Sequence, residues 1–311
     1  MSDRRRFLIG AGGTLAAVAA TKVIAGMRHR NTRPTGQFID IDGTRLHYKI
    51  LGESGPKVVI IHGASGNLLD WTIGPALEIA KNNRVLLFDR PGLGFSDRAP
   101  KNGSSLSVQA ALMRKAALRL GWDKHMLIGH SYGGSVALSW SLDAPETVSS
   151  LLLLAAPSHV WPTGPSLRNR IASNPVGGPI LSHLAAAFVP QSMIEDSVKS
   201  VFAPQSPPDN YAERINVHLV LQPQIIQNNA RDVTQLKTFI REMQPRYEEL
   251  TMPVTMLHGD ADKTVDLEIH SIAMSKRLPH AKLEVLKGIG HMPHHVSLSE
   301  VLAAISAMHS P

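Results

Sequence analysis

From Gln37 onward, short apolar runs alternate with longer stretches of helical periodicity. Residues 38–41 and 46–50 flank Asp42-Gly43, a pair that supplies the positive φ angles a tight hairpin turn requires. Residues 57–61, 85–88, 126–128, 151–154, 254–257 and 283–286 are each apolar on both faces and too short for a helix, as buried parallel strands are. Segments of helical length lie between several of them, notably 105–120, 132–143 and 266–278. The alternation predicts an α/β fold with a mostly parallel central sheet and helices on both faces.

One interval breaks the pattern. Residues 157–250 contain no convincing buried strand and hold 11 of the 21 prolines. The spacing predicts short helices over 191–201, 211–221 and 230–243, divided by Pro204, Pro207-Pro208 and Pro223. A structureless link of this length is unusual in a compact domain, so 157–250 is expected to be a folded helical cap, or lid, inserted between two parts of the core, 37–156 and 251–311. Trp161, Phe188, Met193, Phe202, Tyr211 and Met243 lie in it. Their plainer role is core packing, and lining an apolar acyl pocket is the alternative.

Composition changes the picture at one end. The 311-residue chain carries a net charge of +7, which suggests nucleic acid until the charges are located. Residues 1–33 hold seven bases (Arg4, Arg5, Arg6, Lys22, Arg28, Arg30 and Arg33) against Asp3 alone, leaving 25 bases and 24 acids in the remainder. A nearly neutral folded part gives no basic footprint for phosphate, so no nucleic-acid partner is expected. Arg4-Arg5-Arg6-Phe7-Leu8-Ile9, followed by a weakly apolar Gly/Ala-rich run, resembles the twin-arginine export pattern. Export to the periplasm or medium is the first reading. An uncleaved membrane anchor is the second, although spanning hydrocarbon takes about 20 mostly apolar residues and Phe7 to Met27 reaches that only by burying Lys22. A cytoplasmic leader is the third. The absence of cysteine excludes a disulfide scaffold, thiolate-bound metal and a cysteine nucleophile.

The chemistry gathers after the strands. Gly129-His130-Ser131-Tyr132-Gly133-Gly134 lies directly between the strand 126–128 and a helix. A sharp strand-to-helix turn pushes a serine hydroxyl into the open, and glycines on either side let the two elements close without Cβ clashes. Serine needs a base to take its proton and a third group to hold that base. Candidate bases are His291 in Gly288-Ile289-Gly290-His291-Met292-Pro293, and its neighbours His294 and His295, which read as solvated residues opening the last helix. Candidate acids are Asp260 and Asp262 after the strand 254–257.

These residues resemble the α/β-hydrolase superfamily, in its serine-nucleophile branch with a helical cap, over about residues 37–311. The resemblance implies Ser131 as nucleophile at the elbow, His291 as the base in the loop after the last strand, and Asp262, three residues after Gly259, as the acid. Asp260 then has a turn role. The loop following the strand that precedes the cap, Ala155-Ala156-Pro157-Ser158, offers no carboxylate. The resemblance further implies an oxyanion hole from the backbone N–H groups of Ala64, in His62-Gly63-Ala64-Ser65-Gly66, and Tyr132. The segment Asp89-Arg90-Pro91-Gly92-Leu93-Gly94 also resembles a family segment, with a structural role in which Arg90 pairs with nearby acids; it lacks the Gly-x-Gly-x-x-Gly of a dinucleotide loop. The expected activity is hydrolysis of a carboxylic ester or similar small acyl compound through an acyl-enzyme, without metal or cofactor. Carbon–carbon bond hydrolysis and cofactor-free haloperoxidase chemistry are the enzyme alternatives. A catalytically silent binding module is the non-enzyme alternative.

Overall fold

The computed structural model describes residues 33–309, so the export-like segment lies outside the described residues except for Arg33. Strand β1 (Gln37–Ile41) turns into β2 (Thr44–Leu51) through Asp42 and Gly43, both at positive φ. This hairpin forms one edge of an eight-stranded sheet completed by β3 (Lys57–Ile61), β4 (Arg84–Phe88), β5 (His125–His130), β6 (Val148–Leu154), β7 (Val254–Gly259) and β8 (Lys282–Leu286), in the order β1-β2-β4-β3-β5-β6-β7-β8. Pairing is antiparallel as far as β2–β4 and parallel from there to β8.

Strand periodicity divides the core into two layers. Val59, Ile61, Leu127 and Leu153 face one cluster, with Trp140 and Tyr247, whereas Val58, Ile60, Met126, Ile128, Leu152 and Leu154 face the other, with Trp71 and Ile305. Helices α3 (Leu106–Arg119) and α4 (Tyr132–Asp143) cover the first face, and α13 (Leu298–His309) helps cover the second. Short helices α1 (Leu69–Thr72) and α2 (Pro75–Ile79) precede β4. Strand β8 differs from its expected burial. It is the sheet edge and half open to solvent, with Val285 45% exposed.

Between β6 and β7 the chain runs through α5 (Leu167–Ser173), α6 (Gly177–Phe188), α7 (Gln191–Phe202), α8 (Tyr211–Arg214), α9 (Val217–Val220) and α10 (Pro223–Met243). Two boundaries depart from the sequence pattern. The single helix expected over 211–221 is broken where Asn216 adopts a left-handed conformation, at φ 53°. Pro223, expected as a divider, instead opens the long helix α10, since a proline at the first position removes an N–H that has no intrahelical partner anyway. Helix α6 begins Gly-Gly-Pro and was not visible as a helix, because its proline lies in the first turn, where the same tolerance holds. The stretch expected as one helix over 266–278 starts with a π-turn, Glu268–Ile272, before α11 (Ala273–Arg277). Helix α12 (Pro293–Val296) precedes α13. No helix among the described residues is long and apolar enough to cross a membrane.

Candidate active site

Ser131 occupies the turn from β5 into α4 with φ 51° and ψ −126°, a region costing an ordinary side chain about 1–3 kcal/mol. Its surroundings impose it. The Ser131 N–H donates to the Leu154 carbonyl at 2.9 Å and the Gly134 N–H donates to the Ser131 carbonyl at 2.8 Å. A Cβ on Gly133 would come within 2.3 Å of the Ile61 carbonyl oxygen, and one on Gly129 within 2.6 Å of the Gly133 oxygen. Only bare glycine lets the start of α4 seat against the exits of β3 and β5.

The side chains named from the sequence meet at this turn. His291 Nε2 lies 2.9 Å from Ser131 Oγ, and His291 Nδ1 lies 2.7 Å from Asp262 Oδ2. With Asp262 ionised, Nδ1–H donates to the carboxylate, leaving Nε2 to accept from the serine hydroxyl. Asp262 also receives the N–H groups of Thr264 and Val265 at 2.7 and 3.0 Å, and His258 Nε2 stands 3.2 Å from Oδ2. Burial by itself would raise the Asp262 pKa; hydrogen bonds from His258 and His291 and from the Val265 N–H outweigh it and hold the carboxyl well below the usual range. His258, also bonded to Ser271 Oγ at 2.7 Å, is a support that sequence reading missed. Its only signal was a histidine beside Gly259 at a strand end.

Side chains bonded to backbone groups keep the acid and histidine loops together. Asp260 does not reach the imidazole; its carboxylate accepts the Gly288 N–H at 2.6 Å and so ties one loop to the other. Gln205, between α7 and α8, donates to the Gly288 carbonyl at 2.7 Å and accepts the Gly290 N–H at 2.9 Å. His130 Nε2 donates to the His291 carbonyl at 2.9 Å, so a side chain next to Ser131 fixes the backbone of the imidazole facing it.

The loop after β3 crosses the same turn. A Cβ on Gly63 would lie 3.2 Å from Ser131 Cβ, which brings Ala64, the next residue, alongside the elbow. Tyr132 is the first residue of α4, where backbone N–H groups lack intrahelical partners. His62 Nε2 accepts the Arg90 N–H at 3.0 Å, so its Nδ1–H donates to the Gly63 carbonyl at 2.9 Å. Burial, reinforced by Arg90, holds the His62 pKa down at about 4 and keeps this ring neutral.

Arg90 is the main departure from the sequence reading. Its acids are not the neighbouring ones: Asp89 pairs with His47 at 2.7 Å, and Asp97 with Arg45 at 3.7 Å. The fully buried Arg90 guanidinium instead lies 4.2 Å from the centre of the Tyr132 ring, donates to Gln109 at 2.7 Å, and pairs with Asp232 of α10 at 3.3 Å. Arg98 meets the other Asp232 oxygen at 3.0 Å. Arg90 thereby joins the loop around Ser131 to the helices between β6 and β7. His294 and His295 also depart from expectation. Their side chains are buried, not solvated, and both reach Asp70. Of the apolar residues singled out between 157 and 250, Phe202, Tyr211 and Met243 are buried, Trp161 packs partly buried against the core, and Phe188 and Met193 are 59% and 54% exposed. The last two line no interior in this structure.

Comparison with known proteins agrees with the fold. Over 282 residues the chain is 28% identical to a pimeloyl-[acyl-carrier protein] methyl ester esterase of Vibrio parahaemolyticus, covering 84% of this chain and 97% of that protein. Over 287 residues it is 26% identical to a 2-hydroxy-6-oxo-6-phenylhexa-2,4-dienoate hydrolase of Burkholderia cepacia, covering 83% and 90%. An alpha/beta hydrolase fold protein of Burkholderia ambifaria superposes with a TM-score of 0.70 at 21% identity, covering 88% of this chain and 97% of the other. The family model described as alpha/beta hydrolase fold matches residues 56–298, a span that takes in β3 to β8, the elbow and both loops beside it, and the chain therefore belongs to the alpha/beta hydrolase family.

Proposed function

We propose that the protein is a serine hydrolase that cleaves a carboxylic ester or similar small acyl substrate through an acyl-enzyme. The observation that carries this reading is the unbroken hydrogen-bonded series from Ser131 through His291 to Asp262, at 2.9 and 2.7 Å. In the first half-reaction Ser131 Oγ attacks the substrate carbonyl while His291 Nε2 takes the hydroxyl proton. Asp262 holds the imidazole in the accepting tautomer and stabilises the imidazolium. The Ala64 and Tyr132 N–H groups donate to the developing oxyanion, a contribution of about 3 kcal/mol per donor. The proton then passes from His291 to the leaving alkoxide as the carbon–oxygen bond breaks. Water, deprotonated by the same imidazole, attacks the acyl-enzyme and releases the acid, restoring the serine.

Carbon–carbon bond hydrolysis is a second reading, supported by the similarity to the dienoate hydrolase. The same serine and imidazole would serve, with a ketonic carbonyl and a carbanion leaving group. Steady-state rates on nitrophenyl esters of graded acyl length and on a set of vinylogous 1,5-diketones separate the two. The first reading expects ester turnover that disappears in Ser131→Ala; diketone cleavage without ester turnover would replace it with the second.

A further inference from the structure

Behind the histidine loop stands a second carboxylate–imidazole group that the proposed reaction leaves unused. Asp70 of α1 is buried, and three side chains from distant parts of the chain reach its oxygens. His294 Nε2 lies 3.1 Å from Oδ2, His295 Nε2 lies 2.9 Å from Oδ1, and the Tyr211 hydroxyl of α8 donates to Oδ1 at 2.6 Å. Neither a lysine nor an arginine is among them. The Asp70, His294 and His295 ligand atoms all lie within 4.8 Å of one another. The two imidazole side chains are 0% and 3% exposed. Stacking on Trp71, with centroids 4.4 Å apart and planes 17° apart, fixes the His294 ring. The His295 ring is held edge-on against Tyr211 at 5.4 Å.

We infer that Asp70, His294 and His295 form a binding site for one divalent transition-metal ion of the zinc type. Two neutral imidazoles and one carboxylate form a ligand set suited to such ions. Ligand atoms around a tetrahedral ion at about 2.0–2.1 Å stand a little over 3 Å apart, by the metal–ligand lengths typical of zinc. The two Asp70–imidazole separations, each to a different carboxylate oxygen, already approach that spacing, and a bound ion would draw the imidazoles, now within 4.8 Å of each other, together on the carboxylate. The ion would replace hydrogen bonds by coordinate bonds and would bring two positive charges to a buried carboxylate. A cleft of about 240 Å³, lined by His294 and His295 with Glu78, Pro208 and Arg214, offers an entry path and room for water in the fourth position. Tyr211 is the alternative occupant of that position. The site joins α1, α8 and α12, the helix that directly follows His291, so its role is structural: a bound ion would pin the helices between β6 and β7 to the core behind the imidazole.

The test uses the full chain, prepared without a histidine tag and stripped with a chelator. Titration with Co2+ should show one equivalent bound per chain, with a visible ligand-field absorption that Zn2+ abolishes, and Zn2+ should raise the midpoint of thermal unfolding. Asp70→Asn and His295→Gln should each weaken binding by at least about 10-fold, the loss that removal of even an outer-sphere partner produces. His280→Gln, at an exposed histidine, should bind as the wild type does. Glutamine retains a donor near the Nε2 position, so His295→Gln decides the matter should Asp70→Asn fail to fold. Wild-type protein that binds less than one equivalent, or a folded His295→Gln that binds as tightly as wild type, would overturn the assignment. Neither result depends on catalysis.

Discussion

The loops at the ends of β3, β5, β7 and β8 and the helices between β6 and β7 meet around Ser131, yet they are held by different means. The loops rest first on close backbone packing, to which side chains such as Asp260 add: Ser131 N–H on Leu154, Ala261 N–H on Ile289, and glycines at 129, 133 and 259 where a Cβ would strike a neighbouring peptide at 2.6, 2.3 and 2.0 Å. The helices are set by side chains, through polar anchors such as Asp232, Gln205 and Tyr211, while Ile180, Leu184 and Phe188 of α6 stay open to solvent. A framework made of peptide contacts tolerates no change at a few points. A covering made of side-chain contacts tolerates change nearly everywhere except at its anchors. The Ser131–His291–Asp262 series thus sits on tightly packed backbone, and the helices between β6 and β7 are fastened beside it through a few side chains.

This contrast ranks the effects of substitution. Ser131→Ala and His291→Ala should each lower kcat by roughly 10⁴- to 10⁶-fold with the circular dichroism spectrum unchanged, and Asp262→Asn by about 10⁴-fold through the wrong imidazole tautomer. Next comes the anchor between the two regions. Arg90→Met leaves the buried Asp232 carboxylate with Arg98 as its remaining cation and should cost about 3 kcal/mol in urea unfolding, the lower end for breaking a buried pair, part of it recovered in Arg90→Met/Asp232→Leu; a single variant as stable as wild type would show that the helices do not depend on that pair. Gly133→Ala should cost about 1–3 kcal/mol, as overpacking does. At the bottom of the scale, Phe188→Ser on the exposed side of α6 should change stability by less than about 0.5 kcal/mol. A large loss there would place α6 among the rigid elements.

Acid acts on the rigid part. Burial holds His125 and His62 at about 4 against an ordinary value of 6.5. As pH falls from about 6.5 toward about 4, the unfolded chain takes up protons that these folded rings refuse. Stability should therefore be complete above that window and decline through it, by at most about 1.4 kcal/mol per pH unit for each ring. Urea midpoints at pH 7 and 4.5 for wild type and His125→Gln check the sign, with the variant expected to show the shallower decline.

The same contrast explains what could be read from sequence. Strands, elbow and loops were legible because their determinants are local: a hairpin turn at Asp42-Gly43, apolar runs of strand length, glycines one or two residues from Ser131. Asp262 was singled out over Asp260 by resemblance to the family, whose pattern places the acid three residues after a glycine, here Gly259. The pairings that surprised have partners far along the chain, 142 residues for Arg90 and Asp232 and 224 for Asp70 and His294, and no local periodicity encodes them. Helix α6 was hidden by its opening glycines and proline, and the break in the helix expected over 211–221 by a left-handed Asn216 that polar pattern alone does not mark.

The central claim is that Ser131 is an activated nucleophile. Treatment of the full chain with a fluorophosphonate, followed by intact mass and peptide mapping, tests it most directly. The account predicts one adduct per molecule on the peptide containing Ser131, absent in Ser131→Ala and strongly slowed in His291→Ala; an unmodified wild type, or equal modification of wild type and Ser131→Ala, would contradict it.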